Sequence, residues 1–476
     1  MYRYLNPRYV FPAILALGLF ALAARQVVDP DLWWHLKTGQ LILHSHAIFH
    51  SDPFSFTRTG MPWLNHEWLS DVLMFGLYRA AGWTGLIITF AVLTTATFLL
   101  AFHRCAGRSY IAGALIIWAA IASLPLWDVR PQMLSFFLAS LLLVLHDSSV
   151  RRPATLWWAV PMMLLWANLH AGYALGIALL VLFLIGDALD AAFGASSAAS
   201  AKRRLPTLAL VLAACLAVVP INPSGTKLYW YPFATLRSSS MQKYIAEWSS
   251  PNFHQAQYLP LAFLMLSILA ALALSPRRLP PGKLLLLGAT NFAALVSIRH
   301  IAIYALVSAP ILSELLAAPL HPTKPRLEGS RALIVNGLIV LAFAAFVVVH
   351  VRGVIVHQPA TVAERFPERA VTFLAEQRIP GPILNHYDWG GYFIWRLYPE
   401  YKVFIDGRAD VYGDSLMHDF ASTYSLTDDW RGPLNQWHIR AIILPSDAPL
   451  ITALQMSPEW KRIYSDSQAT ILTRAN

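Results

Sequence analysis

Long apolar runs separated by short polar breaks dominate the chain up to about residue 350. Stretches able to cross ~30 Å of hydrocarbon fall at 9–27, 84–102, 109–125, 131–146, 156–168, 172–192, 206–220, 259–275, 283–297, 300–318 and 332–350. Each predicts a transmembrane helix, about eleven in all. The fifth and ninth are short and run into polar flanks at Asn168 and Ser297. After residue 351 the period changes and Gly and Asp become frequent. The pattern there predicts helices at Pro367–Arg378, Gly391–Leu397, Ser415–Ser425, Asp429–Gln436 and Ala448–Met456. Strands are expected at Pro382–Asn385, Lys402–Ile405 and Ala441–Leu444, with a closing pair at Arg462–Ser465 and Thr470–Thr473. The fold class that follows is an α-helical polytopic membrane protein with a C-terminal soluble α/β domain. Residues 1–350 carry the spans and an outer loop at 28–70, and residues 351–476 form the extracytoplasmic domain.

Composition agrees, since 57% of the residues are hydrophobic and 13% charged, far from the usual soluble range. The net charge of +10 is explained by topology. Arg3/Arg8, Arg104/Arg108, Arg151/Arg152, Lys202/Arg203/Arg204, Arg277/Arg278/Lys283 and Lys324/Arg326/Arg331 occupy alternate loops, and cations are retained on the cytoplasmic side. The amino terminus is therefore expected inside and everything after 351 outside, as in a cell inner membrane, with the basic loops facing anionic membrane lipids. A nucleic-acid role is not supported. The first apolar run lacks a small-residue cleavage site and reads as an anchor. Only Cys105 and Cys215 are present, so neither a disulfide nor a cysteine metal site is expected.

The loops opposite the basic ones hold the chemically capable residues. Asp29-Pro30-Asp31-Leu32-Trp33-Trp34-His35 follows the first span, and the same loop ends in Asn65-His66-Glu67-Trp68. Later loops carry Asp128-Val129-Arg130, Asn168-Leu169-His170, Asn222 to Trp248 with Lys227 and Glu247, and Arg299-His300. A lone cation or indole near a span end is usually an interfacial anchor. Several ionisable groups at one membrane face instead suggest a hydrated cavity, because each costs on the order of 2.5–3.5 kcal/mol at full depth. In the outer domain His386-Tyr387-Asp388-Trp389 and Ile405-Asp406-Gly407-Arg408 follow expected strands, the position of ligand contacts in open α/β sheets. No Walker or dinucleotide loop, HExxH or GxSxG occurs. His44, His46, His50 and Asp52 fit no regular zinc spacing, and a solvated loop is the better reading.

The layout resembles the GT-C superfamily of polytopic glycosyltransferases. The matching features are the Asp29/Asp31 pair after span one, the outer loop closing on Asn65-His66-Glu67-Trp68, the many spans and the outer carboxyl-terminal domain. Tyr387-Asp388-Trp389-Gly390 is similar to the aromatic and acidic signature of oligosaccharyltransferases, with a different residue order. The resemblance implies a lipid-linked sugar donor on a polyprenyl phosphate or pyrophosphate carrier. Transfer to a hydroxyl needs a base, cations for the leaving phosphate and a lipid-open groove. Asp31 is the first choice for the base and Asp29 the second, with Pro30 turning the two carboxylates in different directions. Arg130, Arg299 and His300 suit the phosphate, and the plainer reading of the Arg299-His300 pair is a cap on two neighbouring helix ends. His170 and His35 line the same face, and Asp388 and Arg408 are candidate substrate contacts. Glu67 beside His66 serves as a second acid or metal ligand, or as a carboxylate at a helix amino end. A divalent metal ion and the identity of the acceptor are left open. A transporter, or an assembly partner using Trp389, Trp395 and Trp430 to bind a glycan, are the alternatives.

Overall fold

A computed structural model describes residues 7–317 and 330–475. Arg3, Lys324 and Arg326 of the basic loops lie outside the described residues. The chain is a mostly helical, multi-pass membrane protein. Among the described residues seven helices are long and apolar enough to cross a bilayer: Trp68–His103, Ser109–Leu126, Gln132–Ser149, Tyr173–Ala192, Ala256–Leu274, Ile298–Ala317 and Leu333–Arg365. Two shorter apolar helices, Val10–Ala23 and Pro281–Val296, match the first and ninth expected spans. The remaining two expected spans fall on Pro153–Trp158 with Ala159–Leu169, and on Ala198–Val218.

Local chemistry sets several boundaries. Trp68–Arg104 is broken at Gly82, whose φ of 56° and ψ of −145° leave the helical region, a conformation that glycine adopts at little cost. A first helical segment therefore runs from Trp68 to the break, and the expected span 84–102 begins just after it. Leu259–Leu274 and Pro281–Val296 open with proline in the first turn, where the missing N–H is no loss.

Two compact units divide the chain, and neither is one continuous stretch. The first comprises the described residues up to Arg25, Ile87–Thr226 and Ala246–Val356; the second comprises Gln26–Leu86, Lys227–Ile245 and the residues from His357 onward. Within the first, Arg204 is a correction to the basic-loop pattern. It is 4% exposed and its guanidinium grips Asp187 through Nε at 2.8 Å and a second, shorter bond, because a cation buried in a bundle must be paired.

The second unit holds a four-stranded sheet of order β1-β2-β4-β3. β1 (Ile383–Asn385) runs parallel to β2 (Ala441–Pro445), which is antiparallel to β4 (Ala469–Arg474), and β4 is antiparallel to β3 (Trp460–Ser465). Four of the five expected strands are therefore present. Lys402–Ile405 is not a strand. The Asn385 side chain bonds Phe404 N–H and the Ile405 carbonyl, both at 2.8 Å, replacing ladder partners. Val403 pairs instead with the loop at 28–70, donating to the Phe54 carbonyl at 3.0 Å and accepting from Phe56 N–H at 3.1 Å. Helices follow the expected positions at Glu368–Glu376, Gly390–Leu397, Ala409–Ser425, Gly432–Gln436 and Pro449–Gln455.

Candidate active site

The second unit gathers an acid and histidine cluster from the two ends of the loop at 28–70. Asp29 Oδ1 accepts the Asp31 N–H at 2.8 Å, a local turn of the kind Asp makes with backbone two residues on. That turn sets the start of the helix Leu32–Ser45. Asp31 Oδ1 accepts Trp34 Nε1–H at 3.2 Å. The two carboxylates thus have separate tasks: Asp29, 7% exposed, fixes backbone, while Asp31 stays half-buried. The loop Asp406–Asp410 passes so close that a Cβ on Gly407 would collide with the Asp31 carboxylate, and Tyr387 Oη donates to the Gly407 carbonyl at 3.4 Å.

One turn along the helix, His35 is 3% exposed. Its Nδ1 lies 2.6 Å from Asp71 Oδ1 and its Nε2 lies 3.6 Å from Glu67 Oε2. This approach depends on Gly39, where a Cβ would strike the Asp71 backbone. Glu67 also faces His66, with Oε1 3.3 Å from Nε2, and the His66 ring lies 4.3 Å from the Tyr231 ring. Burial disfavours charge on both imidazoles, but the surrounding carboxylates outweigh it. Asp71, Glu67 and Asp31 raise His35 above its ordinary value, and Glu67 with Asp410 lifts His66 to about 9.

A pH dependence follows. Because the folded pKa of His66 exceeds the ordinary 6.5, its contribution to stability is fully present below about 6.5 and is lost as pH rises through about 9, on the order of 3 kcal/mol in total. Thermal unfolding between those pH values should lose stability in the wild type and stay flatter in His66→Gln. Equal slopes in the two proteins would remove His66 as the source.

The first unit assembles the cations. Ala246–Trp248 forms one turn, held by Ser297 Oγ–H on the Glu247 carbonyl at 2.8 Å and by Ile298 N–H on the Ser249 carbonyl at 3.0 Å. Arg299 Nε reaches Glu247 Oε2 at 2.9 Å and Arg130 bonds Oε1. Burial works against the Glu247 charge, yet the two guanidiniums hold its carboxyl below the usual range. Arg299 also stacks over Trp248 at 4.7 Å. His300 follows in the same turn, with Nδ1 buried and without a hydrogen bond. His170 ends the helix Ala159–Leu169 in extended conformation. Its Nδ1 accepts Gly172 N–H at 2.9 Å and contacts Ser135 Oγ at 2.7 Å. A ring nitrogen that accepts a backbone N–H is unprotonated, so Nε2 carries the proton.

The structure therefore brings Asp29, Asp31, His35, His66 and Glu67 into one cluster, and Arg130 and Arg299 onto one carboxylate. Arg408 goes elsewhere. It is 2% exposed and bonds Asp406 at 2.6 and 2.8 Å and Asp52 at 2.7 Å, between the Phe54 and Trp63 rings at 5.0 and 4.7 Å. These bonds brace its guanidinium within the fold. Asp388 is exposed beside Tyr387. Asp71 and Glu247 had no assigned role in the sequence; Glu247 stood only among the capable residues of its loop, and Asp71 lies in the first turn of the long helix Trp68–Arg104. His44 and His46 are exposed and Asp52 is committed to Arg408. Among the described residues no group of three or more His, Cys, Asp or Glu side chains is placed to hold a metal ion.

No family model and no curated protein sequence matches the chain, but solved structures do. The chain is similar to the Archaeoglobus fulgidus oligosaccharyltransferase tethered with an acceptor peptide containing the NVT sequon, at 11% identity and a TM-score of 0.56, over 100% of this chain and 75% of that one. The archaeal oligosaccharyltransferase AglB from Archaeoglobus fulgidus, in complex with an inhibitory peptide and a dolichol-phosphate, matches at 11% identity and a TM-score of 0.57, over 98% of this chain and 74% of that one. ArnT from Cupriavidus metallidurans bound to undecaprenyl phosphate matches at 14% identity and a TM-score of 0.50, over 96% of both chains. The fold is that of the GT-C glycosyltransferases.

Proposed function

We propose that this chain is an integral membrane glycosyltransferase that moves a sugar from a polyprenyl-phosphate-linked donor to an acceptor hydroxyl at the outer face of the inner membrane. Its amino terminus lies in the cytoplasm and the residues after 351 lie outside. The observation that carries the reading is the half-buried Asp31 carboxylate, set by Asp29 and backed by His35, His66, Glu67 and Asp71, in a chain with the GT-C fold. The resemblance of the fold to enzymes solved with polyprenyl phosphates supports the donor class.

Asp31 takes the acceptor proton as the acceptor oxygen bonds to the anomeric carbon. The bond from that carbon to the phosphate oxygen breaks, and the polyprenyl phosphate leaves with the electron pair. A carboxylate shielded from water is a stronger base than an exposed one. Asp29 positions it, while Glu67 and Asp71 favour the charged form of the imidazoles beside them and orient their rings. Arg130 and Arg299, which meet on Glu247 within the first unit, are the cations suited to phosphate oxygens through charge-assisted bonds, with His300 and the Nε2–H of His170 as further candidate donors of that unit.

Purified protein in liposomes with a radiolabelled polyprenyl-phosphate sugar, assayed for label moved to a water-soluble or lipid acceptor, tests the reading. Sugar transfer above that of an Asp31→Asn control supports it, and equal background overturns it. In the active system Arg299→Gln should raise KM for the donor by roughly 10- to 100-fold, the loss of about 1.5–3 kcal/mol for a bond to a charged group, with kcat changed less. An unchanged donor KM would move the phosphate site away from Arg299.

A further inference from the structure

The segment Lys227–Ile245 belongs to the second unit although it is strung between two helices of the first, Ala198–Val218 and Leu259–Leu274. It contains Lys227, Arg237 and Lys243, no acidic residue, and the rings of Tyr229, Trp230, Tyr231, Phe233 and Tyr244. All three cations are exposed. Its helix Tyr231–Arg237 has no buried residue. Trp230, Phe233 and Leu236, spaced three apart, are 74%, 56% and 53% exposed.

We propose that this segment docks on the bilayer surface, with Trp230, Phe233 and Leu236 in the boundary between head groups and acyl chains and Lys227, Arg237 and Lys243 on anionic lipid head groups. A short helix with aromatic and aliphatic residues on one stripe and basic flanks suits that boundary, where apolar area is buried and cations meet lipid phosphates. Lys227 is nine residues past Val218.

The other side of the segment is held to protein. The Asp414 carboxylate accepts Ser238 Oγ–H at 2.6 Å, Ser239 N–H at 3.2 Å, Ser239 Oγ–H at 3.0 Å and Ser240 N–H at 3.2 Å. The Tyr231 ring packs at a tilt on His66. At 100° per residue Tyr231 lies roughly 160° around the helix from Phe233, so lipid on one face leaves the His66 contact intact on the other. Docking thus fixes Tyr231 over the cluster that Asp31 belongs to. The inference needs only the membrane reading, not the transferase one.

The test uses the full chain in nanodiscs containing anionic lipid, with Cys105→Ser and Cys215→Ala removing the two native thiols. A nitroxide is attached at Phe233→Cys or, as an aqueous reference, at Met456→Cys, a position that is 85% exposed. Collision rates with oxygen and with a water-soluble nickel chelate are compared. The expected result is an oxygen-to-nickel ratio several-fold higher at 233 than at 456, falling when the lipid is made zwitterionic or when Lys227→Gln, Arg237→Gln and Lys243→Gln are combined. A ratio at 233 equal to that at 456 places the segment in water and overturns the proposal. Protection from both reagents means a protein partner or a second copy covers it, which also overturns it, and a high ratio indifferent to charge removes the anionic head groups. None of these readings depends on turnover, so their failure is distinct from failure of sugar transfer.

Discussion

Asp31→Asn is expected to lower sugar transfer by roughly a hundred- to ten-thousandfold, the range for removing a positioned general base, with the folded protein retained. Asparagine keeps an oxygen for the Trp34 Nε1–H bond and the half-buried position tolerates an amide, so thermal unfolding should barely move. Asp29→Ala should behave differently. It removes the bond to the Asp31 N–H, worth about 0.5–1.5 kcal/mol, and so reduces kcat by no more than roughly tenfold through a less well placed Asp31. The steady-state comparison of the two variants in liposomes separates base from positioning residue. Equal losses in both would make the pair act jointly, and full activity in Asp31→Asn would remove it from the chemistry.

The division of labour between the two carboxylates was partly legible before any coordinates. Pro30 between them restricts the backbone, and the helix start at Leu32 puts His35 one turn beyond Asp31. Asp71 was not legible, because it looks like the polar edge of an apolar run. Its link to His35 depends on Gly39 letting two helices touch, a property of the packing and not of either segment. Arg130 and Glu247 meet across 117 residues, and no local period reports such a pair. Seven long apolar helices and two shorter ones were legible because length and hydropathy act locally, and so were the closing strands β3 and β4. Lys402–Ile405 reads as a strand for the same reason, but Asn385 and the chain around Phe54 compete for its backbone groups. Period alone does not say which partner a strand-like stretch will find.

Arg408→Met is expected to destabilise the second unit by about 3–5 kcal/mol, the cost of leaving buried charges without their partner. Asp406 and Asp52 are 0% and 2% exposed. Both carboxylates keep other bonds, from Tyr412 Oη–H at 2.5 Å to Asp406 and from Ser55 Oγ–H at 2.5 Å to Asp52, but hydroxyls cannot neutralise two negative charges. Lysine should not rescue, since its single ammonium cannot span the two oxygens of Asp406 and also reach Asp52. Triple replacement, Arg408→Met with Asp406→Asn and Asp52→Asn, removes the uncompensated charge and should recover a large part of the loss. The measurement is thermal unfolding of the three variants in detergent beside the wild type. The pairing spans 356 residues, from Asp52 in the first outer loop to Arg408, so the same substitution should loosen that loop. Limited proteolysis should then cut near Arg58, whose guanidinium donates to the Tyr412 carbonyl at 2.5 Å, in Arg408→Met before it cuts there in the wild type. A variant that unfolds at the wild-type temperature would mean that Arg408 contributes no net pairing energy, and the residue would return to the set of ligand contacts.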